Sequence, residues 1–292
     1  MPLFSYVNGQ YVHHRDASVH IEDRGFQFAD GVYEVIACIN GTLADAGGHL
    51  DRMERSLAEL KISVPCSRKV LLLIINNLVR KNRLTSAVIY IQVSRGVAKR
   101  DFKFPMPTPK PSLVITARAF NFATNPYMAK GAKAVIVPDQ RWARRDIKTT
   151  GLLAQALAKQ AAAEQGAQEA LMIDEEGYIT EGSSSNSWIL KGKTLYTRHA
   201  DHDILKGVTR MAVYHVAKKM GLTIKEKKYT PKEALAADEV FNTSATALVM
   251  PIVMINSKTV GSGKPGPITQ EIYEEYKNYV FGKYGSPLSW KY

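Results

Sequence analysis

The sequence predicts a mixed α/β protein of the α+β kind, divided into two domains. Three observations carry this. The chain has 292 residues, a length that suits two domains or one large one. Its strand-like runs are joined as hairpins by tight-turn dipeptides such as Asn8-Gly9 and Asn40-Gly41. Helical runs are interspersed, but these hairpin clusters dominate, which disfavours a doubly wound parallel sheet. Residues 121–131, with Asn121, Asn125 and Pro126, read as a linker between residues 1–120 and 132–292.

In chain order, Phe4–Val7 and Gln10–Val12 form the first hairpin, and Val32–Cys38 turns at Asn40-Gly41 into Thr42–Ala44. His49 to Ile62 has apolar residues at Leu50, Met53, Leu57 and Leu60, a helical spacing. Ser67 is placed to cap a second helix that runs to about Arg80. Ala87–Val93 and Leu113–Ala117 are strands, separated by a long basic loop from Gly96 to Pro105, and loops of that length tend to be functional. After the linker, Ala134–Pro138 is a strand and a helix follows Lys148 until Gly166 stops it. A meander covers Ala170 to Tyr196. A helix then spans Thr209–Met220, Thr223–Lys225 is a strand, Pro231 opens a short helix, and Asp238–Asn242 is a strand. The last helix runs from Thr269 to near Gly282.

Composition narrows the function classes. Hydrophobic residues make up 45% and charged residues 23%, values ordinary for a globular protein. The longest apolar run, Val70–Ile75, is far too short for a membrane span, and the N-terminus lacks the pattern of a signal peptide. Cys38 and Cys66 suit a reducing cytoplasm. The net charge of +12, from 39 Lys and Arg against 27 Asp and Glu, raises nucleic acid as a partner. The basic residues are scattered without aromatic interleaving, and a small anionic substrate or cofactor explains part of the charge equally well. The seven histidines form no HExxH pattern or His/Cys cluster, so no catalytic metal is expected. P-loop spacing and a GxSxG frame are also missing.

The chemistry centres on Lys148, where the polar run Arg144–Thr150 meets an Ala/Leu-rich helix. Partial desolvation there makes an amine nucleophilic toward a carbonyl. Three turns are candidate anion cradles: Gly182-Ser183-Ser184-Ser185-Asn186 after Glu181, Leu205–Arg210 at a helix start, and Ser244–Ala247 after a strand. Each feature has a plainer reading: a solvated lysine, a polar loop, a helix capped by Thr209. Together, a lysine, an acid and three phosphate-sized turns point to pyridoxal phosphate. Lys148 would form a Schiff base with the aldehyde, and Glu181 would keep the pyridine nitrogen protonated.

The chain resembles the D-amino acid aminotransferases of fold type IV, whose wider family holds branched-chain aminotransferases and aminodeoxychorismate lyases. The resemblance rests on Phe28–Val35, His49–Arg52, Asp146–Thr149, Thr180–Asn186, Gly207–Arg210 and Thr243–Thr246, in that order. It implies a smaller N-terminal domain, a larger cofactor-binding C-terminal domain, pyridoxal phosphate in the cleft between them, and a homodimer. By the same resemblance Lys148 is the Schiff-base lysine and proton carrier, Glu181 meets the pyridine nitrogen, and Arg52 binds the phosphate. Val208, Thr209, Ala245 and Thr246 complete the cradle, Leu205 packs on the ring, and Ser183, Ser184 and Ser185 line the site. Tyr33 and Val35 fall on the substrate side.

The substrate carboxylate is expected to meet a loop of the neighbouring subunit with the pattern Arg-x-His-x-Phe-Pro. Here it reads Arg100-Asp101-Phe102-Lys103-Phe104-Pro105. Phe102 cannot donate the hydrogen bond that a histidine would. The implied reaction is transamination between a D-amino acid such as D-alanine and a 2-oxo acid, 2-oxoglutarate or pyruvate. An (R)-selective amine transaminase, an aminodeoxychorismate lyase and, distantly, a nucleic-acid-binding protein are the alternatives.

Overall fold

The computed structural model of the protein describes residues 2–281. They fall into two compact units: residues up to Ala123 together with Ile147–Gly151, and Thr124–Asp146 together with the chain from Leu152 onward.

Unit 1 is built on a six-stranded antiparallel sheet. Its strands are β1 (Phe4–Val7), β2 (Gln10–His13), β3 (Gly31–Ile39), β4 (Thr42–Leu43), β5 (Ala87–Ser94) and β6 (Ser112–Ala119), in the order β2-β1-β6-β5-β3-β4. Positive φ at Asn8, Gly9, Asn40 and Gly41 closes the hairpins as their sequences require. One sheet face carries Val32, Ile36, Ile89, Ile91, Leu113 and Ile115, buried under α2 (Ala46–Glu59) and α3 (Arg68–Lys81). Ser67 caps α3, its Oγ accepting from the Val70 N–H. Because side chains alternate along a strand, Tyr33, Val35, Tyr90 and Gln92 lie on the opposite, half-buried face. A short helix, α1 (Arg24–Phe28), precedes β3 and is capped by Asp23.

The sequence reading places Lys148 with the C-terminal half. The segment Ile147–Gly151 instead packs with unit 1. Ile147 is in the unit 1 core, the Tyr33 N–H donates to the Lys148 carbonyl at 3.0 Å, and the Thr150 N–H donates to the Gly31 carbonyl at 3.0 Å. Backbone pairing to β3 therefore outweighs sequence continuity for these few residues.

Unit 2 carries a nine-stranded mixed sheet. The elements are α4 (Pro126–Lys130), β7 (Ala132–Pro138), α5 (Leu153–Glu164), β8 (Glu169–Ile173), β9 (Ile179–Gly182), β10 (Asn186–Lys191), β11 (Thr194–Thr197), α6 (Val208–Lys219), β12 (Thr223–Glu226), α7 (Pro231–Leu235), β13 (Glu239–Ser244), β14 (Leu248–Ile255), β15 (Lys258–Thr259) and α8 (Pro267–Phe281). The order is β12-β11-β10-β13-β14-β7-β8-β9, with β15 paired to β14. The pairs β11–β12, β14–β7 and β7–β8 are parallel. Ala158 and Ala162 of α5 pack on Val135, Ala170 and Met172, the small side chains letting helix and sheet approach closely.

Sequence reasoning passes over β14, although it sits centrally between β13 and β7. Its Pro251 is a residue disfavoured inside a sheet. Pairing with β7 begins at Ile252, so Pro251 lies outside that ladder. Within the expected linker, Pro126–Lys130 is helical, capped by the Asn125 side chain. The expected helix stop at Gly282 lies outside the described residues.

Candidate active site

In unit 1 the site is organised by β3, whose two faces present different chemistry. Tyr33 faces Lys148, whose Nζ is 4.1 Å from the tyrosine ring centroid. Among the described residues no carboxylate pairs with this amine. Tyr33 stacks on Tyr90 with centroids 5.6 Å apart, and the Tyr90 hydroxyl donates to Gln92 Oε1 at 2.7 Å. Burial, with Tyr33 nearby, pushes the Tyr90 hydroxyl up to about 12, so it remains a hydrogen-bond donor at neutral pH. Val35 lies opposite Tyr90 in the ladder.

On the other face of β3, Glu34 is fully buried. Its Oε1 accepts from Arg52 Nε at 2.7 Å; its Oε2 accepts from Arg52 Nη2 at 2.7 Å and lies 2.7 Å from His49 Nδ1. Burial alone would raise this carboxyl. The charge and hydrogen bonds of Arg52, with His49, override it and hold Glu34 well below the usual carboxylate range. Arg52 is thus not a surface charge on its helix: its side chain is 9% exposed and fixed in direction by Glu34.

Arg100 and Phe102 gather on Phe28. The Arg100 guanidinium carbon is 4.8 Å from the Phe28 centroid, and the Phe28 and Phe102 rings meet edge to face at 5.6 Å. Phe102 is 84% exposed.

In unit 2 the centre is Glu181, at the end of β9 and buried. Its Oε1 accepts from Arg141 Nη1 and from the Leu205 N–H, and its Oε2 accepts from Asn186 Nδ2 at 2.8 Å. A carboxylate oxygen accepts two such bonds, so Oε2 retains a lone pair for one further donor. Arg141 is itself gripped by Asp139 through Nε and Nη2, at 2.9 and 2.7 Å. Burial pushes the Glu181 carboxyl up, opposed by Arg141. A further positive donor, such as a pyridinium N–H, relieves that cost.

Asn186 Nδ2 also donates to the Leu205 carbonyl at 2.8 Å, so the Leu205 backbone is held from both sides. Gly207 is the N-cap of α6 and supplies no side-chain cap. Thr209 is therefore inside the helix and not its cap, and the first-turn N–H groups, including those of Val208 and Thr209, are left for an anion. A Cβ on Gly207 would lie 1.9 Å from Asn186 Oδ1, so only glycine allows this approach.

The three serines separate. Ser183 and Ser185 are buried and their hydroxyls donate to Glu169, whereas Ser184 is exposed. Ala245 and Thr246 form the tight turn between β13 and β14, both half-buried. A carboxylate with a spare acceptor, a helix N-terminus without a side-chain cap and an amine with no acidic partner among the described residues are what pyridoxal phosphate requires, so the residues fit that cofactor.

Sequence reasoning missed Glu34, His49, Tyr90, Gln92, Arg141 and Asn186. Glu34, His49 and Asn186 stand inside the motifs, next to residues that were identified. The signal for Tyr90 and Gln92 was their period-2 alternation with Ile89 and Ile91. Nothing local marks Arg141, whose role depends on the pairing of β7 with β8 and β8 with β9.

The class IV amino-transferase family model matches residues 31–255. A D-alanine aminotransferase of Bacillus licheniformis is 38% identical over 278 residues, 94% of this chain and 96% of that protein. Another, from Listeria innocua, is 39% identical over 272 residues, 92% of this chain and 93% of that protein. Among solved structures, the branched-chain amino acid aminotransferase of Escherichia coli has a TM-score of 0.89 at 26% identity, covering 98% of this chain and 95% of its own. The T.th. branched-chain amino acid aminotransferase, solved with pyridoxamine 5'-phosphate, gives 0.89 at 26% identity and covers 97% and 95%. The chain belongs to the class IV aminotransferases, which work with pyridoxal phosphate.

Proposed function

We propose that the chain exchanges amino groups between D-amino acids of the D-alanine type and 2-oxo acids, 2-oxoglutarate or pyruvate. It is a pyridoxal-phosphate-dependent D-amino acid transaminase. The observation that carries the chemistry is Lys148, whose amine faces the Tyr33 ring and, among the described residues, pairs with no carboxylate. The preference for D-amino acids rests on kinship with the D-alanine aminotransferases.

Pyridoxal phosphate supplies an aldehyde that condenses with amines and a ring that draws electrons from the substrate α-carbon. Lys148 Nζ takes the proton from that carbon and later returns one. Glu181 would hold the ring nitrogen in its protonated form. Arg52, aimed by Glu34 and His49, is the phosphate-binding side chain of unit 1, and the backbone N–H groups of Val208, Thr209, Ala245 and Thr246 are the anion-binding groups of unit 2. Leu205 covers the ring, and Ser184, the exposed serine of its turn, is the one open to ligand. Tyr33 and Val35, with Tyr90, form the substrate side, and Arg100 pairs with the α-carboxylate.

A homodimer fits the exposed apolar side chains of unit 1: Ile21 and Phe26 at 74%, Phe102 at 84% and Met106 at 86%. In this reading the Arg100 loop serves the neighbouring active site. The free thiols Cys38 and Cys66 fit a cytoplasmic location. Phe102, apolar where a histidine is expected, favours a second reading, an (R)-selective amine transaminase.

Purified enzyme should turn over D-alanine with 2-oxoglutarate faster than (R)-1-phenylethylamine with pyruvate. Turnover of the amine with none of D-alanine would replace the first reading by the second.

A further inference from the structure

The motif Phe28-Ala29-Asp30-Gly31 has no place in the chemistry above, yet Asp30 is among the most heavily bonded side chains of unit 1. Its Oδ2 accepts from Arg24 Nε at 2.8 Å and from Arg95 Nε at 2.7 Å, and its Oδ1 accepts from Arg95 Nη2 at 3.0 Å. Both arginines are buried and the Asp30 side chain is 9% exposed. Both arginines then reach out to the loop that contains Arg100. Arg24 Nη1 donates to the Asp101 carbonyl at 2.6 Å. The Arg95 guanidinium carbon lies 3.7 Å from the Phe104 ring centroid. Arg24 also lies on the Phe28 ring at 4.6 Å, and Arg100 lies on the same ring at 4.8 Å. Backbone bonds join the two segments at their bases: the Arg24 N–H donates to the Gly96 carbonyl at 2.9 Å and the Arg95 N–H to the Asp30 carbonyl at 3.0 Å.

An exposed loop that carries a recognition arginine loses conformational freedom on binding, which weakens binding unless the loop is held beforehand. Here one carboxylate bridges two guanidiniums, that of Arg95 being held also by the Leu60 and Lys61 carbonyls, and each guanidinium meets the loop next to Arg100.

We infer that Asp30, Arg24 and Arg95 form an intrachain clamp of positioning residues that holds Arg100 ready for the substrate α-carboxylate. The clamp thereby sets the preference for amino acids over carboxylate-free amines. This rests on the reading of Arg100 as the carboxylate partner.

Arg24→Lys tests the clamp in the cofactor-loaded enzyme. A lysine can still pair with Asp30 but, with one nitrogen in place of the fork, does not reproduce the separate Nε and Nη1 bonds to Asp30 and the Asp101 carbonyl. Asp30→Asn, which keeps the shape and loosens both guanidiniums, is the second variant should the first not fold. Each is compared with Arg100→Ala and with the corresponding double variant. The readouts are kcat and kcat/KM for D-alanine, the Kd of pyruvate for the pyridoxal form, and the melting temperature.

For Arg24→Lys we expect kcat/KM to fall and the pyruvate Kd to rise by about tenfold, the scale of one charged hydrogen bond. Saturating kcat and the melting temperature stay unchanged. In the Arg100→Ala background the same substitution adds nothing further, because its effect passes through Arg100. If Arg100→Ala weakens pyruvate binding but neither clamp variant does, the clamp is overturned and the Arg100 reading stands. If Arg100→Ala changes nothing, the Arg100 reading falls and the clamp with it. Multiplicative losses in the double variant would also overturn the clamp, since Arg24 would then act independently of Arg100.

Discussion

Replacing Glu34 by glutamine removes one atom's worth of acceptor chemistry from a fully buried position. Three contacts meet this carboxylate: Arg52 Nε on Oε1, and Arg52 Nη2 and His49 Nδ1 on Oε2. An amide offers a single acceptor oxygen, so at least one donor of Arg52 faces an N–H₂ group instead. The buried positive charge of Arg52 also loses its counter-charge. Breaking a buried pair from one side costs about 3–5 kcal/mol.

Urea unfolding of the cofactor-free protein at neutral pH is expected to show that loss. Titration of the same protein with pyridoxal phosphate is expected to show at least about tenfold weaker binding, because Arg52 no longer has a fixed direction. The pH dependence has a definite sign. The folded-state pKa of Glu34 is lowered, so its stabilising contribution is present above the unfolded carboxyl value of about 4.3 and is lost as the pH falls below it. The stability gap between the parent and the glutamine variant therefore narrows under acid. Equal stability and equal cofactor affinity at neutral pH would refute the reasoning, as would a gap that widens as the pH drops.

Three further outcomes follow from the same geometry. Glu181→Gln removes the anion proposed to face the ring nitrogen and should lower kcat by about a hundredfold or more, read in the D-alanine assay while the cofactor stays bound. Gly207→Ala places a methyl 1.9 Å from Asn186 Oδ1, so the α6 N-terminus must shift; lower melting temperature and weaker cofactor retention are expected together. Phe102→His restores a donor in the Arg100 loop and should lower the KM for D-alanine by up to about tenfold, and an unchanged KM would remove position 102 from the carboxylate site.

Much of the fold was legible because its signals are local. Asn-Gly hairpins, the Ser67 cap, the Gly166 stop and the Pro231 helix start each depend on a few adjacent residues. What stayed hidden depends on distant pairing. The strand β14 carries Pro251 and looks broken until β13 and β7 are placed beside it. Lys148 reads as part of the C-terminal half until β3 is seen to bond its backbone. The candidate chemical residues were legible as motif matches, but the groups bonded to them were not. Glu34 looks like one more strand residue, and Arg141 like one more basic residue in a chain of net charge +12. Only the fold brings Glu34 to Arg52 and Arg141 to Glu181.

Borohydride reduction of the cofactor-loaded enzyme, followed by peptide mass mapping, tests the central claim most directly. The account predicts one pyridoxyl-phosphate adduct, on the peptide that contains Lys148, with loss of absorbance in the band at roughly 400–430 nm that marks cofactor joined to a lysine. An adduct on a different lysine, or a protein that retains no cofactor after reconstitution, would contradict it.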